Sequence, residues 1–329
     1  KRIQSTFFTD TMVITPKAKS NRGNKYCQVF VSDKGFVVVY PMKSQSEFLQ
    51  ALHWFCKQIG VPVTLVMDGH KAQKSDATGR FCHQVGTTLR ALERATPWAN
   101  RAELYIGLLK GAVMKDLTAS HSPYVLWDYN FERRAIIHNL VPRPLFQNNG
   151  LTPLAATTGD QGDISNVCNF GWYEWVYCSD HGSFPINKVK LRHVLGPIKN
   201  EGNEMAHAVL TSKGTVVPQR TIWKLTPAEY ADSNEERKRD QFNAIIKAKL
   251  GDSWTPPPKS LPDPTLEPYA DDPVLQKDGE TGVSPLPNDN DPVSPEGCSM
   301  SEQPITDSVI HVERYLTQGE KMQPAKVVR

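Results

Sequence analysis

Tyr26-Cys27-Gln28-Val29-Phe30-Val31-Ser32-Asp33-Lys34-Gly35-Phe36-Val37-Val38-Val39-Tyr40 is the stretch that decides the fold. β-Branched and aromatic residues fill Tyr26–Ser32 and again residues 35–40, and the intervening Asp33-Lys34-Gly35 is a turn signal, so the pattern predicts a hairpin. Upstream, the apolar-rich run 5–13 predicts a strand that extends the hairpin to a three-stranded meander. Downstream, Phe48, Leu52, Phe55 and Ile59 recur at helical spacing over residues 46–59. Val61–Met67 reads as a buried strand that ends at Asp68. A short element, a fifth strand over 87–92 and helices over 100–117 and 124–140 complete the series. Pro142, Pro144 and Asn148-Asn149-Gly150 break the pattern, so residues 1–150 are expected to form an α/β domain on a mixed five-stranded sheet.

The texture then changes. A connector is expected over 151–169. Short strands expected at 171–178, 191–198, 205–211 and 215–225, with a hairpin tip at Ser212-Lys213-Gly214, predict a small all-β barrel over 170–228. Ser233-Asn234-Glu235-Glu236 reads as a capping box opening a charged helix within 229–252. From Trp254 to Pro304 there are roughly a dozen prolines and few large apolar residues, so 253–329 is expected to be a disordered acidic Pro-rich tail.

Charge follows the same division. Residues 1–250 carry 32 Lys and Arg against 21 Asp and Glu, a net of +11, whereas residues 251–329 carry 6 against 14, a net of −8. The whole-chain value of +3 hides this asymmetry. A basic body points to a polyanion partner. The six cysteines include no C-x-x-C pair or zinc-finger spacing, and Cys27 and Cys56 read as small core residues. With no secretory or membrane-spanning run, a reduced intracellular setting and no membrane partner are expected.

Three carboxylates stand out by position: Asp10 in the first strand, Asp68 after the fourth, and Glu103 in the first turn of a helix, separated by 57 and then 34 residues. Singly, each has an ordinary reading: a strand-end acid, a loop start before Gly69, and an acid complementing a helix dipole. Together, strands and helix in this order can bring them to one edge of the sheet. Converged carboxylates repel unless a cation shares the site. Hard oxygen ligands select Mg²⁺ or Mn²⁺, and two such ions about 3.5–4 Å apart stabilise both the attacking and leaving oxygens of a phosphoryl displacement. At 100° per residue, Glu103, Gly107, Lys110 and Met114 form one stripe, which would set an acid, a close-approach position and a cation in line.

Strand-borne Asp10, Asp68-Gly69 and Pro97-Trp98-Ala99-Asn100-Arg101-Ala102-Glu103 together resemble the DDE triad of copia-type LTR-retrotransposon integrases. Leu151-Thr152-Pro153-Leu154-Ala155, Thr158-Gly159-Asp160 and Phe170-Gly171-Trp172 resemble the tract after that family's core. Leu195-Gly196-Pro197 and residues 214–220 resemble its small DNA-binding barrel. The likeness covers roughly residues 5–250. It implies a ribonuclease-H-like core, Asp10, Asp68 and Glu103 as catalytic ligands of two Mg²⁺ or Mn²⁺ ions, and Lys110 at the family's DNA-contacting basic position. It also implies strand transfer of element ends into target DNA in the nucleus by a homo-multimer on double-stranded DNA. The sequence departs from the family in having His70 after Asp68-Gly69, Arg101 where a small residue is usual, and a second gap one residue shorter than the common spacing. The family's amino-terminal His/Cys zinc domain is missing from the sequence, which is therefore expected to be a fragment or truncated copy of a polyprotein.

Other residues are weighed beside these. Gln73 and Lys74 lie in a loop where a DNA end would approach, and His70 is expected to be a loop histidine. Lys188, Lys190 and Arg192 would track phosphates. His181 and His193 are expected at the surface or in turns, Trp98 as a helix-start core residue, and half of Trp172, Tyr173, Trp175 and Tyr177 as barrel core. Two rival functions remain: a nuclease of the same fold that only hydrolyses, and a catalytically inactive DNA-binding relic.

Overall fold

The computed structural model describes residues 1–15, 18–67, 75–92, 100–142, 148–180, 188–198 and 206–251. The expected tail, 253–329, lies outside them. The expected mixed sheet is present, built from β1 (Arg2–Val13), β2 (Tyr26–Ser32), β3 (Val37–Met42), β4 (Val61–Met67) and β5 (Thr88–Ala91) in the order β3-β2-β1-β4-β5. The meander is antiparallel, while β1–β4 and β4–β5 are parallel. The β2–β3 turn closes where Gly35 takes φ 80°, a region that favours glycine. Ser32 Oγ accepts from Lys34 N at 3.2 Å and Phe36 N at 3.0 Å.

Parallel neighbours need a crossover that covers the sheet. Helix α1 (Phe48–Gln58) carries the chain from β3 to β4, and α2 (Asp76–Val85) carries it from β4 to β5. α2 is the short element of the sequence reading. Only its Thr78 and Cys82 are buried, and Ser75 caps it and Gly86 ends it. Side chains alternate across the strands. One face buries Phe7, Phe30, Phe36, Val38 and Leu65 against Phe48, Leu52 and Phe55, with Phe30 and Phe55 stacked at 4.6 Å. The other buries Met12, Cys27, Val29, Val31, Val37 and Val39 against α3 (Arg101–Ser120) and α4 (Trp127–Leu140). The single helix expected over 124–140 begins as a separate 3-10 turn, Tyr124–Leu126.

The connector contains two short helices, α5 (Pro153–Thr158) and α6 (Ser165–Cys168). Beyond it lies a second five-stranded sheet, antiparallel throughout, of β6 (Trp175–Asp180), β7 (Lys188–Pro197), β8 (His207–Leu210), β9 (Val216–Gln219) and β10 (Ile222–Lys224) in the order β10-β6-β7-β8-β9. The strand expected over 215–225 is thus two strands on opposite edges. Only Arg220 and Thr221 link them, so those ends lie within about 11 Å, where a flat five-stranded sheet would hold them about 19 Å apart. The sheet is therefore curled, around Val176, Cys178, Val194 and Val209. β7 bulges between Val194 and Gly196, and a Cβ on Gly196 would meet the Arg133 side chain of α4 at 3.0 Å.

α7 (Pro227–Ala231) and α8 (Ser233–Leu250) follow. The expected capping box at Ser233–Glu236 is corrected: Asp232 caps α8, and the reciprocal box is formed by Thr226 and Glu229 at the start of α7. Asp232 wins because its short carboxylate reaches Asn234 N at 2.9 Å. Phe242 and Ile246 of α8 enter the same apolar cluster as α3, α4, Trp172, Leu195 and Leu210. One continuous core therefore joins the second sheet to the first through the helices.

Candidate metal centre and nucleic-acid interface

Asp10 lies on β1 two residues from Phe8 and two from Met12, hence on the same face as both. That face is the one covered by α3 and α4, since Met12 and Phe8 pack into their cluster. Thr11 N donates to Asp10 Oδ1 at 2.7 Å. Next to it, Thr9 is the parallel register partner of Met67. In the sequence each member of this pair is followed by an aspartate, Thr9 by Asp10 and Met67 by Asp68. Asp68 lies outside the described residues, as do His70, Gln73, Lys74 and Trp98.

Glu103 is in the first turn of α3. Asn100 caps that turn, its Oδ1 accepting from Ala102 N at 3.1 Å, and its carbonyl accepts from Glu103 N at 3.1 Å. The helix buries Ala102, Tyr105, Ile106, Leu109, Val113 and Leu117. Glu103, Gly107 and Lys110 are exposed and Met114 half-buried. The stripe read from the sequence is thus the uncovered side of α3, and a Cβ at Gly107 would meet nothing within 4 Å. Among the described residues no group of three or more His, Cys, Asp or Glu could hold a metal ion. The donors that are described, Asp10 and Glu103, are hard oxygen ligands of the kind Mg²⁺ takes, and the Glu103 side chain has no hydrogen bond or ion pair among the described residues.

Lys188, Lys190 and Arg192 are in β7, and Lys190 and Arg192, two residues apart, share one face of the second sheet. Lys190 is exposed, whereas Arg192 is buried beside Val176, its register partner, with Nη1 lacking a hydrogen-bond partner among the described residues. Of the aromatic cluster, Trp172, Tyr173 and Tyr177 are buried and Trp175 half-buried. Alternation does not extend through it, because β6 starts only at Trp175 and Tyr173 has φ 59°. Trp172, Tyr173 and Trp175 line a cavity of about 720 Å³ with Asp116, Asn243 and Lys247; neither Asp10 nor Glu103 reaches it. Among the described residues no helix is long and apolar enough to cross a membrane.

The expectation of a surface or turn position for His193 is overturned. It is 2% exposed, stacked on Tyr173 at 3.6 Å and against Trp175 at 3.6 Å, with Nδ1 donating to the Tyr173 carbonyl at 2.7 Å. The aromatic neighbours that bury it come from another strand end and from α8, which sequence proximity does not reveal. Loss of hydration lowers its pKa to about 3. The unfolded chain therefore binds the proton in preference, between its ordinary value near 6.5 and about 3. Stability from this residue is complete above pH 6.5 and is lost as pH falls through that window. We expect urea unfolding to show a loss of roughly 2 kcal/mol between pH 6.5 and 5 from this group, which His193→Phe removes. Identical pH slopes in the two proteins would count against the buried neutral ring.

No protein-family model matches the chain, and no curated protein matches it. Among solved structures, a chain of the simian T-cell lymphotropic virus intasome in complex with PP2A regulatory subunit B56 gamma is similar at 14% identity and a TM-score of 0.40, over 68% of this chain and 79% of that one. The HTLV-2 integrase catalytic core domain in complex with magnesium is similar in its trimeric form at 18% identity and a TM-score of 0.36, over 46% of this chain and 94% of that one. Its dimeric form is similar at 17% identity, with the same TM-score and coverage. Likenesses this distant settle neither fold nor chemistry here, which rest on this chain's own strand order and residues.

Proposed function

We propose that this chain is the integrase region of a copia-type LTR-retrotransposon polyprotein, with a ribonuclease-H-like core and a small barrel, acting in the nucleus as a polynucleotidyl transferase. The observation that carries the reading is the parallel register pair Thr9–Met67, each member followed in sequence by an aspartate, with the face of β1 that bears Asp10 covered by the helix bearing Glu103. Asp10, Asp68 and Glu103 would hold two Mg²⁺ or Mn²⁺ ions, whose chemistry is charge neutralisation and activation of oxygens at a phosphodiester.

The chain's own part is positioning. Asp10 offers its carboxylate from a rigid central strand and Glu103 from a capped first turn. Gly107 and Lys110 continue the same exposed stripe, where a phosphate backbone can approach without a side chain in the way and meet a cation. Gln73, Lys74, Lys188 and Lys190 are the further candidates for DNA contact; Arg192, buried beside Val176, drops out of that set. Binding to double-stranded DNA should weaken steeply with salt, as phosphate contacts do. The working unit would be a homo-multimer holding two element ends.

The test is incubation of the protein with a labelled element end and a plasmid in Mg²⁺ or Mn²⁺. Label joined to plasmid is the expected result. Shortened label without joining would assign a hydrolytic nuclease, and retained DNA without any product would assign an inactive relic.

A further inference from the structure

We propose that Arg101 is a positioning residue that fixes Glu103 relative to Asp10; the inference rests on the carboxylate site described above. Arg101 is the first residue of α3, two before Glu103. Its Nη1 donates to the Asp33 carbonyl at 2.5 Å, and its guanidinium carbon lies 5.9 Å from the centre of the Phe8 ring. Phe8 is two residues before Asp10 on the same face of β1. One side chain thus ties the start of the helix that carries one acid to the strand that carries the other.

The anchor is itself rigid. Asp33 N donates to the Thr6 carbonyl at 2.9 Å, so the β2–β3 turn is held to β1. The neighbouring carbonyls of Lys34 and Gly35 face Asn148 Nδ2 at 2.9 Å and His138 Nε2 at 3.0 Å. A helix end otherwise frays; at the start of α3 the Asn100 cap and buried Ala102 hold the backbone, and Arg101 is the side chain that links this turn to β1 and the β2–β3 turn. An arginine suits the task because its planar fork can donate to a carbonyl and lie over an aromatic ring at once, which a lysine's point charge does less well. Displacement of a reacting group by about 1 Å costs on the order of 10²-fold in rate, so a loose first turn would be felt at Glu103 even with the fold intact.

The experiment measures Mn²⁺ affinity by electron paramagnetic resonance, kcat and DNA KM for joining, and urea unfolding. It uses the full chain as wild type, Arg101→Ala, Arg101→Lys and Asp10→Asn. Arg101→Ala is expected to weaken Mn²⁺ binding about 10-fold or more and to lower kcat with DNA KM unchanged. Arg101→Lys is expected to recover part of both, and a merely structural role would move the unfolding midpoint without this split. If Arg101→Ala does not fold, Arg101→Lys with kcat and Mn²⁺ affinity between those of wild type and Asp10→Asn supports the proposal. Wild-type values in either arginine variant, alongside a loss in Asp10→Asn, would overturn it. Wild-type Mn²⁺ binding in Asp10→Asn would remove the carboxylate site and the inference with it.

Discussion

Asp10→Asn and Glu103→Gln are each expected to lower DNA joining on the order of 10²–10³-fold, the scale for removing one preorganised electrostatic group. Both substitutions keep the shape of the side chain and remove only its charge, and neither site is packed in the core: Asp10 is half-buried and Glu103 exposed. The fold should therefore survive. Carboxylates gathered without a cation repel, so losing one should leave metal-free stability unchanged or slightly raised. The metal-dependent part is different. An ion at 100 times its dissociation constant stabilises the folded state by about 2.7 kcal/mol, and that increment should shrink in both variants. Unfolding curves with and without Mn²⁺, beside joining assays, separate a ligand from a bystander. Wild-type joining in either variant would strike that carboxylate from the proposed site.

Arg22→Ala is expected to cost about 3–5 kcal/mol, the usual consequence of breaking a buried pair from one side. Asp128 in α4 is fully buried and accepts from Arg22 Nε at 2.8 Å, Asn24 Nδ2 at 2.7 Å and Tyr129 N at 2.9 Å. Arg22 also reaches Glu132 at 2.7 Å and lies 4.0 Å over the Tyr129 ring. Burial works against the guanidinium charge, but the Glu132 and Asp128 carboxylates outweigh it and hold the Arg22 pKa above its ordinary value. Without Arg22, Asp128 keeps its neutral donors but loses its counter-charge at a carboxylate that is itself fully buried. The same loop fastens the second sheet, since Asn21 Nδ2 donates to the Gly214 carbonyl at 3.1 Å. Urea denaturation at pH 7 measures the effect, and a loss below about 1 kcal/mol, the range of a solvated surface pair, would show that Asp128 finds compensation.

Local pattern was enough for the elements whose partners are near in sequence or whose burial is two-sided. The meander and Val61–Met67 were legible because β-branched runs bounded by turn signals have few other uses, and α3 because its apolar stripe repeats over twenty residues. The basic body and acidic tail were legible from composition alone. The candidate site was legible only in part: strand and helix membership of Asp10 and Glu103 could be read, while the face on which Asp10 lies depends on which way β1 presents alternate residues.

Tertiary structure decided what one-dimensional periodicity cannot carry. α2 has its own caps and covers the parallel β4–β5 crossover, but the packing of Cys82 against the sheet is set by the tertiary structure. The run 215–225 divides because a curled sheet has two edges to fill. Arg192 and His193 read as polar surface, yet one is drawn in by the curl of its own sheet and the other by aromatic rings and α8. α4 carries Asp128, Asn130, Arg133 and His138 inside, against the usual preference of charged and polar residues for water: Asp128 meets Arg22 and Asn24, His138 meets the Gly35 carbonyl, and Arg133 lies against Gly196 of the second sheet. Burial is a property of the second layer, and the second layer is chosen by the whole chain.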